Sequence, residues 1–487
     1  MALFGEGENN TVAADDKTSA PLEDRAIDLY QQAERYVTGL IMGPPSPAPG
    51  STKDEIRARA VERMTRLRAF LGHLGNPHLQ YRTIHIGGTS GKGSTTSLVA
   101  SILTAAGYQT GSHVSPYLQV ATEKLQINSQ IAPAARYAAL VHTMAEAVDR
   151  WEALGNPRPT YGEFWVAMTF LYFAEEAVDI AVIEVGAGGR FDLTNVIQPA
   201  VAAITSIGYD HTVTLGNTLP EIAWHKAGIL KPGAAAVTGV TNDEALPVIQ
   251  EEAVSVGADL QIVRPGVSFR DVETDRDGTT FLDVPSGRCM RVNLSGTFQA
   301  ANGALAAATV RALKDDRITN DAIASGLSSA RFPGRLEIVQ ESPLVILDGA
   351  HNPEKIGHMV QSLPGVAGER RIILVFGVLE SKNYTDMYAA LRPHVSALIA
   401  TSPEVFAKPP VSAADIGRLA GTGIPVEVED SPSIAIERAL ELAGPEDVVL
   451  VTGSLYLVGN IRERWYPTER ILDQGTPWPT APSEGSS

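Results

Sequence analysis

Cysteine is almost lacking, with Cys289 alone among 487 residues. A single cysteine forms no internal disulfide and builds no zinc site with other cysteines, so we expect a reducing compartment, the cytoplasm. Long apolar runs are lacking too. The longest, around residues 179–185, has the length of a strand and falls short of the roughly 18 residues that cross a bilayer. A disulfide-stabilised secreted domain and a membrane-spanning helical protein are therefore excluded.

Positive charge is scarce: 39 Lys and Arg stand against 56 Asp and Glu, a formal net charge of −17. This balance argues against a nucleic-acid partner, which needs clustered Lys and Arg. Anionic small molecules stay open as ligands, since a local basic site fits within an acidic protein. Residues 1–20 lack the basic and apolar regions of a secretory signal, and we expect them to be a disordered lead-in.

Apolar residues make up 44% of the chain, enough for two sizeable cores. Short apolar runs alternate with helical segments, which is typical of a parallel sheet covered on both faces. In the first part of the chain these runs lie near residues 83–86, 179–185, 201–206, 234–238 and 260–263. The Asp277-Gly278 pair between two further runs predicts a β-hairpin, and so a small antiparallel addition.

A second series of strands begins after Pro333-Gly334-Arg335. Its apolar runs lie near residues 344–347, 371–376, 397–400, 426–428 and 448–452. We therefore predict two α/β domains. The first, over 21–334, is a P-loop-type, mostly parallel sheet flanked by helices, and the second, over 335–487, is smaller and Rossmann-like.

The segment over residues 84–96, IHIGGTSGKGSTT, joins a strand to a helix through a glycine-rich turn. Such a turn points several backbone N–H groups at one place, where the helix N-terminus adds partial positive charge. The segment departs from the common G-x-x-x-x-G-K-[ST] pattern, because Ile86 stands at the first glycine position and Gly93 separates Lys92 from Ser94. The strand before it and the helix after it still favour nucleotide binding over a plain turn with a surface lysine.

Polar side chains follow two further strands. Glu184 ends the buried run near 179–185 and opens a glycine-rich loop, and Asp210-His211 comes after the next strand. Ligands gather at the carboxyl ends of strands in open α/β sheets, so Glu184 and His211 are candidate metal ligands rather than a solvent-facing acid and a core histidine. Lys226 lies further on in a predicted helix, where by itself it would be a surface lysine.

Nine segments, in order and across both predicted domains, resemble those of folylpolyglutamate synthase and dihydrofolate synthase, a family of the Mur-type ligases. The resemblance covers roughly residues 20–465. The segments are 88–95, 115–118, 184–195, 210–216, 226–229, 299–302, 333–335, 347–352 and 452–456.

The resemblance implies roles for the matching positions. The implied ATP-binding residues are Thr89, Ser90, Gly91, Lys92, Gly93, Ser94, Thr95, Asn302, Arg335 and Asp348. The implied ligands of magnesium, with two ions expected, are Ser94, Ser115, Glu184, His211 and Lys226, the last as a carbamate. The implied residues for the pterin substrate and glutamate are Ser115, Pro116, Tyr117, Tyr161, Arg190, Asp192, His351, Ser454 and Tyr456. The implied catalytic residues are Lys92, Arg335, Asp348 and His351.

The implied activity is ATP-dependent addition of L-glutamate to dihydropteroate, to reduced folates or to both, through an acyl phosphate. Either Asp348 or His351 would orient the amine and take its proton. We expect a cytoplasmic monomer that acts on small molecules, without nucleic-acid or membrane partners. Two alternatives remain: a Mur-type peptide ligase with a nucleotide-sugar substrate, which the loop at 115–118 disfavours, and a P-loop regulator without ligation, which the polar residues of the second domain disfavour.

Overall fold

The structure is a computed structural model that describes residues 22–41, 50–406, 408–421 and 423–480. The predicted lead-in over 1–20 lies outside these residues. Three sheets organise the described chain. The first contains β1 (Arg82–Gly87), β2 (Thr110–His113), β3 (Gln126–Ile127), β4 (Gln130–Ile131), β5 (Ile180–Glu184), β6 (Val201–Ile204), β7 (Ala235–Thr238) and β8 (Leu260–Ile262). The second contains β9 (Phe269–Asp275), β10 (Gly278–Asp283) and β11 (Arg288–Val292). The third contains β12 (Glu337–Glu341), β13 (Leu344–Leu347), β14 (Ile372–Phe376), β15 (Ala397–Ala400), β16 (Val426–Val428) and β17 (Val448–Thr452).

Helices cover the sheets. Those before the third sheet are α1 (Leu22–Thr38), α2 (Lys53–His73), α3 (Lys92–Ala105), α4 (Ala134–Ala153), α5 (Tyr161–Glu175), α6 (Thr212–Leu215), α7 (Leu219–Ala227), α8 (Leu246–Val256), α9 (Phe298–Arg311) and α10 (Asn320–Ser329). Those of the C-terminal part are α11 (Pro353–Ala367), α12 (Tyr384–Leu391), α13 (Ala413–Ala420), α14 (Pro432–Leu442), α15 (Leu455–Arg462) and α16 (Thr468–Gln474). No helix of the described residues is long and apolar enough to span a membrane.

The first sheet has the strand order β4-β3-β2-β5-β1-β6-β7-β8. Only the pairs of β3 with β2 and β4 are antiparallel. Strand β1 lies between β5 and β6, so the carboxyl ends of these three strands are adjacent. Because alternate side chains of β1 and β5 pack under helices on opposite faces, both strands are buried and read as continuous apolar runs. This arrangement brings the loops after β1, β5 and β6 to one edge.

The third sheet has the order β12-β13-β17-β14-β15-β16, with β12 as its one antiparallel strand. Strands β13 and β17 pair in parallel with Leu347 opposite Val451, so the loops that follow them leave the sheet side by side. The predicted fold class, two α/β domains with mostly parallel sheets and a small antiparallel addition, is confirmed. The division at residues 334 and 335 remains a prediction.

Three details differ from the sequence-based expectation. The predicted hairpin is the first half of a three-stranded sheet, because β11 pairs with β10. Strands β3 and β4 are two residues long, too short to show a periodic pattern. The sequence also predicts a helical segment near residues 163–177, but α5 begins at Tyr161, since the Glu163 carboxylate accepts a 2.7 Å hydrogen bond from the Thr160 N–H and caps the helix start.

Candidate active site

The glycine-rich turn between β1 and α3 is shaped by close packing. Gly91 has a φ of 83° and stands directly before α3, where a side chain would be strained. A Cβ there would lie 2.4 Å from Oδ1 of Asn302, and one at Gly93 would lie 2.6 Å from the Phe332 ring. Glycine is therefore favoured at both positions, and Gly91, Lys92 and Gly93 line a cavity at the start of α3.

Hydrogen bonds fix this turn to the segment after β6. The Thr89 hydroxyl donates to the Gly208 carbonyl at 3.1 Å, and the Ser90 N–H donates to Oγ of Ser206 at 2.9 Å. The Thr205 hydroxyl donates to the Ser90 carbonyl at 2.6 Å. The loop is therefore held in its anion-binding form by its neighbours.

A cavity of about 310 Å³ opens at this edge, between the first and third sheets. It is lined by residues from both parts of the chain, as expected for a site that joins two substrates. The predicted site residues in its lining are Thr89, Ser90, Gly91, Lys92, Gly93, Ser94, Ser115, Pro116, Glu184, His211, Asn302, Arg335, Asp348 and His351.

Glu184 is buried at the end of β5, with 5% of its surface exposed. Burial raises the pKa of its carboxyl, while Lys92 acts in the opposite direction. Its Oε2 accepts a 2.9 Å hydrogen bond from the Ser115 N–H. Glu184 thus ties the loop at 115–118 to the phosphate turn.

The donors around Glu184 fit a magnesium ion. Glu184, Ser94 and Ser115 supply hard oxygen atoms beside the phosphate turn. No group of three or more His, Cys, Asp and Glu among the described residues could hold a metal by itself. Mg²⁺ does not require one, because it is commonly bound by one or two carboxylates, waters and the phosphates of a nucleotide. His211 lines the same cavity, and burial lowers its pKa, while Asp210 acts in the opposite direction.

Asp348 and His351 are the two residues that the resemblance offers for taking the amine proton. They differ in which of their side-chain atoms already have hydrogen-bond partners. Both carboxylate oxygens of Asp348 accept backbone N–H groups, from Leu336 at 2.9 Å and Ala350 at 2.8 Å. The His351 Nδ1–H donates to the Gly349 carbonyl at 2.8 Å, which leaves the lone pair on Nε2. Burial, Lys355 and Lys382 lower the pKa of His351 well below its usual value. The Nε2 of His351 therefore remains a hydrogen-bond acceptor, and Nζ of Lys355 lies 2.9 Å from it.

Arg335 stands at the junction of the two parts. Its Nη1 donates to the Gly334 carbonyl at 2.8 Å, and its guanidinium lies 5.2 Å from the centre of the Phe332 ring. Burial lowers the pKa of Arg335, while Asp348 and Glu184 act against that effect. An arginine in this place presents a positive charge to both halves of the cavity.

Asp210 bridges the two parts of the chain. Its carboxylate lies 3.3 Å from Nζ of Lys382 and 3.9 Å from Nζ of Lys355, both beyond β13. Burial raises the pKa of Asp210, but Lys382, His211 and Lys355 together bring it below its usual value. The ion pairs therefore join the loop after β6 to the third sheet's helices and loops.

Comparisons with known proteins agree with this geometry. The family model of the Mur ligase middle domain matches residues 86–310, and that of the Mur ligase glutamate ligase domain matches residues 334–455. The dihydrofolate synthase/folylpolyglutamate synthase of Bacillus subtilis is 36% identical, over 82% of this chain and 94% of its own. The chain belongs to the folylpolyglutamate synthase and dihydrofolate synthase family of Mur ligases.

Solved structures of the family have the same fold. The Mycobacterium tuberculosis folylpolyglutamate synthase complexed with ADP matches with a TM-score of 0.79 at 29% identity, over 90% of this chain and 99% of its own. A complex of a folylpolyglutamate synthase with AMPPCP and folate matches with a TM-score of 0.73 at 29% identity, over 89% and 99%. The resemblance inferred from the nine segments is confirmed, and the chain is an ATP-dependent ligase of this family.

Eight of the predicted site residues do not line the cavity of this protein. They are Thr95, Tyr117, Tyr161, Arg190, Asp192, Lys226, Ser454 and Tyr456. Lys226 lies behind the phosphate turn, where its Nζ donates to the Gly88 carbonyl at 2.7 Å. Burial, followed by Lys92, lowers the pKa of Lys226 to about 7. Thr95 is fully buried in α3, and its hydroxyl has no hydrogen-bond partner among the described residues.

Arg190 and Asp192 hold the loop after β5 in place. Arg190 forms an ion pair with Glu252 at 2.6 Å and stacks on the Trp224 ring, with its guanidinium 4.3 Å from the ring centre. Asp192 accepts N–H groups from Ala187 and Thr194, each at 2.9 Å. Both side chains are thus engaged within the first domain, and their predicted contacts with substrate remain predictions.

Ser454 and Tyr456 flank the start of α15. The Ser454 hydroxyl accepts the Tyr456 N–H at 3.2 Å as the helix cap, and Tyr456 contacts Lys408 through its hydroxyl. Leu455 between them lines the cavity. Ser454 and Tyr456 therefore do not line the cavity, unlike Asp348 and His351, and their predicted contacts with substrate remain predictions.

Tyr117 and Tyr161 belong to an aromatic cluster beside the cavity. The buried ammonium of Lys124 lies 3.8 Å from the centre of the Trp165 ring and 5.7 Å from that of Tyr161. Burial lowers the pKa of Lys124 to about 7, and the carboxylate of Glu34 opposes the shift. Lys124 and Trp165 were not predicted, because a lysine after a loop and a tryptophan in an apolar helix are ordinary in sequence.

Proposed function

We propose that the protein joins L-glutamate to dihydropteroate, to a reduced folate or to both, with ATP and magnesium. The observation that carries this proposal is the shared cavity, in which the phosphate turn and Glu184 of the first part face Arg335, Asp348 and His351 of the second. The relatives are named dihydrofolate synthase or folylpolyglutamate synthase, and these names support glutamate and a folate-type acceptor as the substrates. A nucleotide on one side and an amine on the other suit a ligase.

The reaction has two steps. A carboxylate oxygen of the folate-type substrate forms a bond to the γ-phosphorus of ATP, and the bond from that phosphorus to the bridging oxygen breaks, so ADP leaves with the electron pair. The glutamate nitrogen then forms a bond to the acyl carbon, and the carbon–oxygen bond to phosphate breaks. One ammonium proton leaves before the attack, and a second leaves the nitrogen after it. We assign the first to Nε2 of His351, which is an acceptor because Nδ1 donates to the Gly349 carbonyl, and which lies 2.9 Å from Nζ of Lys355.

Positioning and charge neutralisation dominate phosphoryl transfer. We assign Lys92, the N–H groups of the phosphate turn and Asn302 to the nucleotide. Arg335 is assigned to the transferring group, in the manner of an arginine finger. Enclosure between the domains would keep water from the acyl phosphate.

Magnesium would be held by Glu184, with Ser94, Ser115 and His211 close by, and it would neutralise phosphate charge when bound. Two ions remain our expectation. Carbamylation of Lys226 is part of the proposal, supported by the buried position that lowers its pKa to about 7 and so increases its uncharged form. A carbamate there would add a carboxylate-like ligand behind the phosphate turn.

The aromatic cluster is our assignment for the ring of the pterin substrate. Tyr117 follows Pro116, which lines the cavity, so a ring packed against the partly buried Tyr117 and Tyr161 would leave its chain directed toward the phosphates. Aromatic faces favour stacking with a flat heterocycle.

An oxygen-transfer experiment tests the acyl phosphate. The folate-type substrate is prepared with ¹⁸O in its reacting carboxylate and turned over with ATP and glutamate, and the inorganic phosphate is analysed by mass spectrometry. We expect one ¹⁸O atom in each phosphate. Label in AMP would indicate transfer of an adenylyl group, and unlabelled phosphate would indicate plain ATP hydrolysis; either result contradicts the proposal.

A further inference from the structure

Lys355 lines the cavity but has no counterpart in the roles that the family resemblance implies. It is the third residue of α11, and its N–H donates at 2.9 Å to Oδ1 of the capping Asn352. Its Nζ lies 2.9 Å from Nε2 of His351 and 3.9 Å from Oδ2 of Asp210. The first turn of the helix therefore delivers an ammonium group to the proposed amine base, with 21% of the side chain still exposed.

The charges around Lys355 are unbalanced. Burial lowers its pKa to about 7, Lys92, Arg335 and Lys382 add to that effect, and Asp210 opposes it. Asp210 is shared, since it lies closer to Lys382, at 3.3 Å. Like charges gathered in a poorly hydrated space are unfavourable until an anion arrives.

The three other carboxylates of the cavity lining do not supply that anion. Glu354 forms no ion pair with Lys355 within 4.0 Å among the described residues. Asp348 accepts two backbone N–H groups, and Glu184 accepts the Ser115 N–H beside the proposed metal. A phosphoryl group between the two sheets would meet Lys92 from one side and Lys355 from the other. Phosphoryl transfer places negative charge on such a group.

We propose that Lys355 is a further catalytic residue whose ammonium binds the transferring phosphoryl group from the side of the second domain. The inference rests on the proposed function. In the first step the substrate carboxylate oxygen bonds to the γ-phosphorus while the bond to ADP breaks, and Lys355 neutralises oxygens of the phosphoryl group as it moves. In the second step the same contact stabilises the phosphate that departs with the electron pair of the broken carbon–oxygen bond.

A purely structural role is the competing explanation, because Lys355 also pairs with Asp210 across the two parts of the chain. Lys382 makes that same pairing at a shorter distance, yet it does not line the cavity. The side-chain exposures of the two lysines are nearly equal, at 21% and 20%. Lys382→Met is therefore the matched control for Lys355→Met.

The test compares steady-state kinetics and ADP affinity of the full-length protein and its variants. Lys355→Met is expected to lower kcat about 10- to 100-fold, the effect of losing one hydrogen bond to a charged group. The affinity for ADP should change less than about twofold, since ADP lacks the group that Lys355 contacts. The KM for ATP should also change less than about twofold, because the contact neutralises the phosphoryl group as it moves and not in the bound ground state. Lys382→Met should stay near wild type. Lys355→Arg keeps the charge and should recover much of the lost kcat.

Equal kinetic losses in Lys355→Met and Lys382→Met would overturn the inference, because the shared pairing with Asp210 would then explain both. An unchanged kcat in Lys355→Met, or Lys355→Arg no better than Lys355→Met in a folded protein, would overturn it as well. Wild-type protein is assayed first for glutamate-dependent phosphate release. Its absence would count against the proposed function itself, whereas normal wild-type turnover with unaffected Lys355→Met counts against Lys355 alone.

Discussion

At the scale of single residues, the surroundings decide what a side chain does. Lys92 and Glu184 were predictable from sequence, because each stands at a strand end beside glycines. Lys355 was not, since a lysine in the first turn of a helix is ordinarily a surface residue. Its Nζ lies 3.9 Å from Asp210 of the first part only because α11 follows β13 at the edge that faces the first sheet. The spacing of residues along the sequence does not show which side chains of one sheet face those of another.

Glu184→Gln tests the metal assignment. The change removes a charge with little volume, so the buried side chain should still pack and accept the Ser115 N–H. Loss of one charged ligand should raise the magnesium concentration for half-maximal turnover about tenfold or more. The magnesium titration of turnover measures it, with Glu354→Gln, another carboxylate of the cavity lining, as control. An unchanged titration would show that Glu184 is not a ligand.

At the scale of elements, buried strands were predictable and short polar ones were not. Strands β1 and β5 are apolar runs because both faces are covered. Strand β12 is half exposed and reads as EIVQE, which carries no clear alternation. The loops after β1, β5 and β6 could be placed at one edge from the rule for parallel sheets alone. The sequence alone did not show whether the Ser454 hydroxyl caps a helix or contacts a ligand.

Strand β1 carries a test of pH dependence. His85 is fully buried, its Nε2 lies 2.9 Å from the Thr194 hydroxyl, and burial lowers its pKa to about 3. A histidine that is neutral when folded but protonated when unfolded costs stability as pH falls below its ordinary value of 6.5, and the loss continues until about pH 3. At about pH 5 the loss is roughly 2 kcal/mol relative to neutral pH.

Urea unfolding at about pH 7.5 and about pH 5 measures this effect. The variant His85→Gln should lose roughly 2 kcal/mol less than wild type between the two conditions. His394→Gln, at an exposed histidine, should behave as wild type. Identical pH dependence in wild type and His85→Gln would refute the assignment of a neutral buried ring.

The start of α15 carries a second element-scale test. Ser454→Ala removes the hydroxyl that accepts the Tyr456 N–H, so the second domain should lose about 1 kcal/mol of stability, the usual value of a helix cap. Ser454→Asn should restore most of it. Unfolding by urea measures the change. Unaltered stability together with a tenfold rise in the KM for glutamate would instead assign Ser454 to the glutamate pocket.

At the scale of the whole molecule, two α/β units present the carboxyl ends of their strands to one cavity. Length and strand patterning predicted two units, but not how they face each other. Residues far apart in the chain join them: Asp210 pairs with Lys382, and the buried Arg462 binds both Gln119 and Glu337. Such contacts follow from packing of complete domains. The cavity between the domains explains why one chain binds a nucleotide and an amine together.

The most direct test of the central claim is product formation. The purified protein is incubated with ATP, Mg²⁺, labelled L-glutamate and either dihydropteroate or tetrahydrofolate, with Lys92→Ala as the inactive control. We expect a labelled amide product with one of the two acceptors or with both, and one ADP and one phosphate for each glutamate incorporated. Phosphate release that is the same without glutamate or without the acceptor, and no labelled product, would contradict the account.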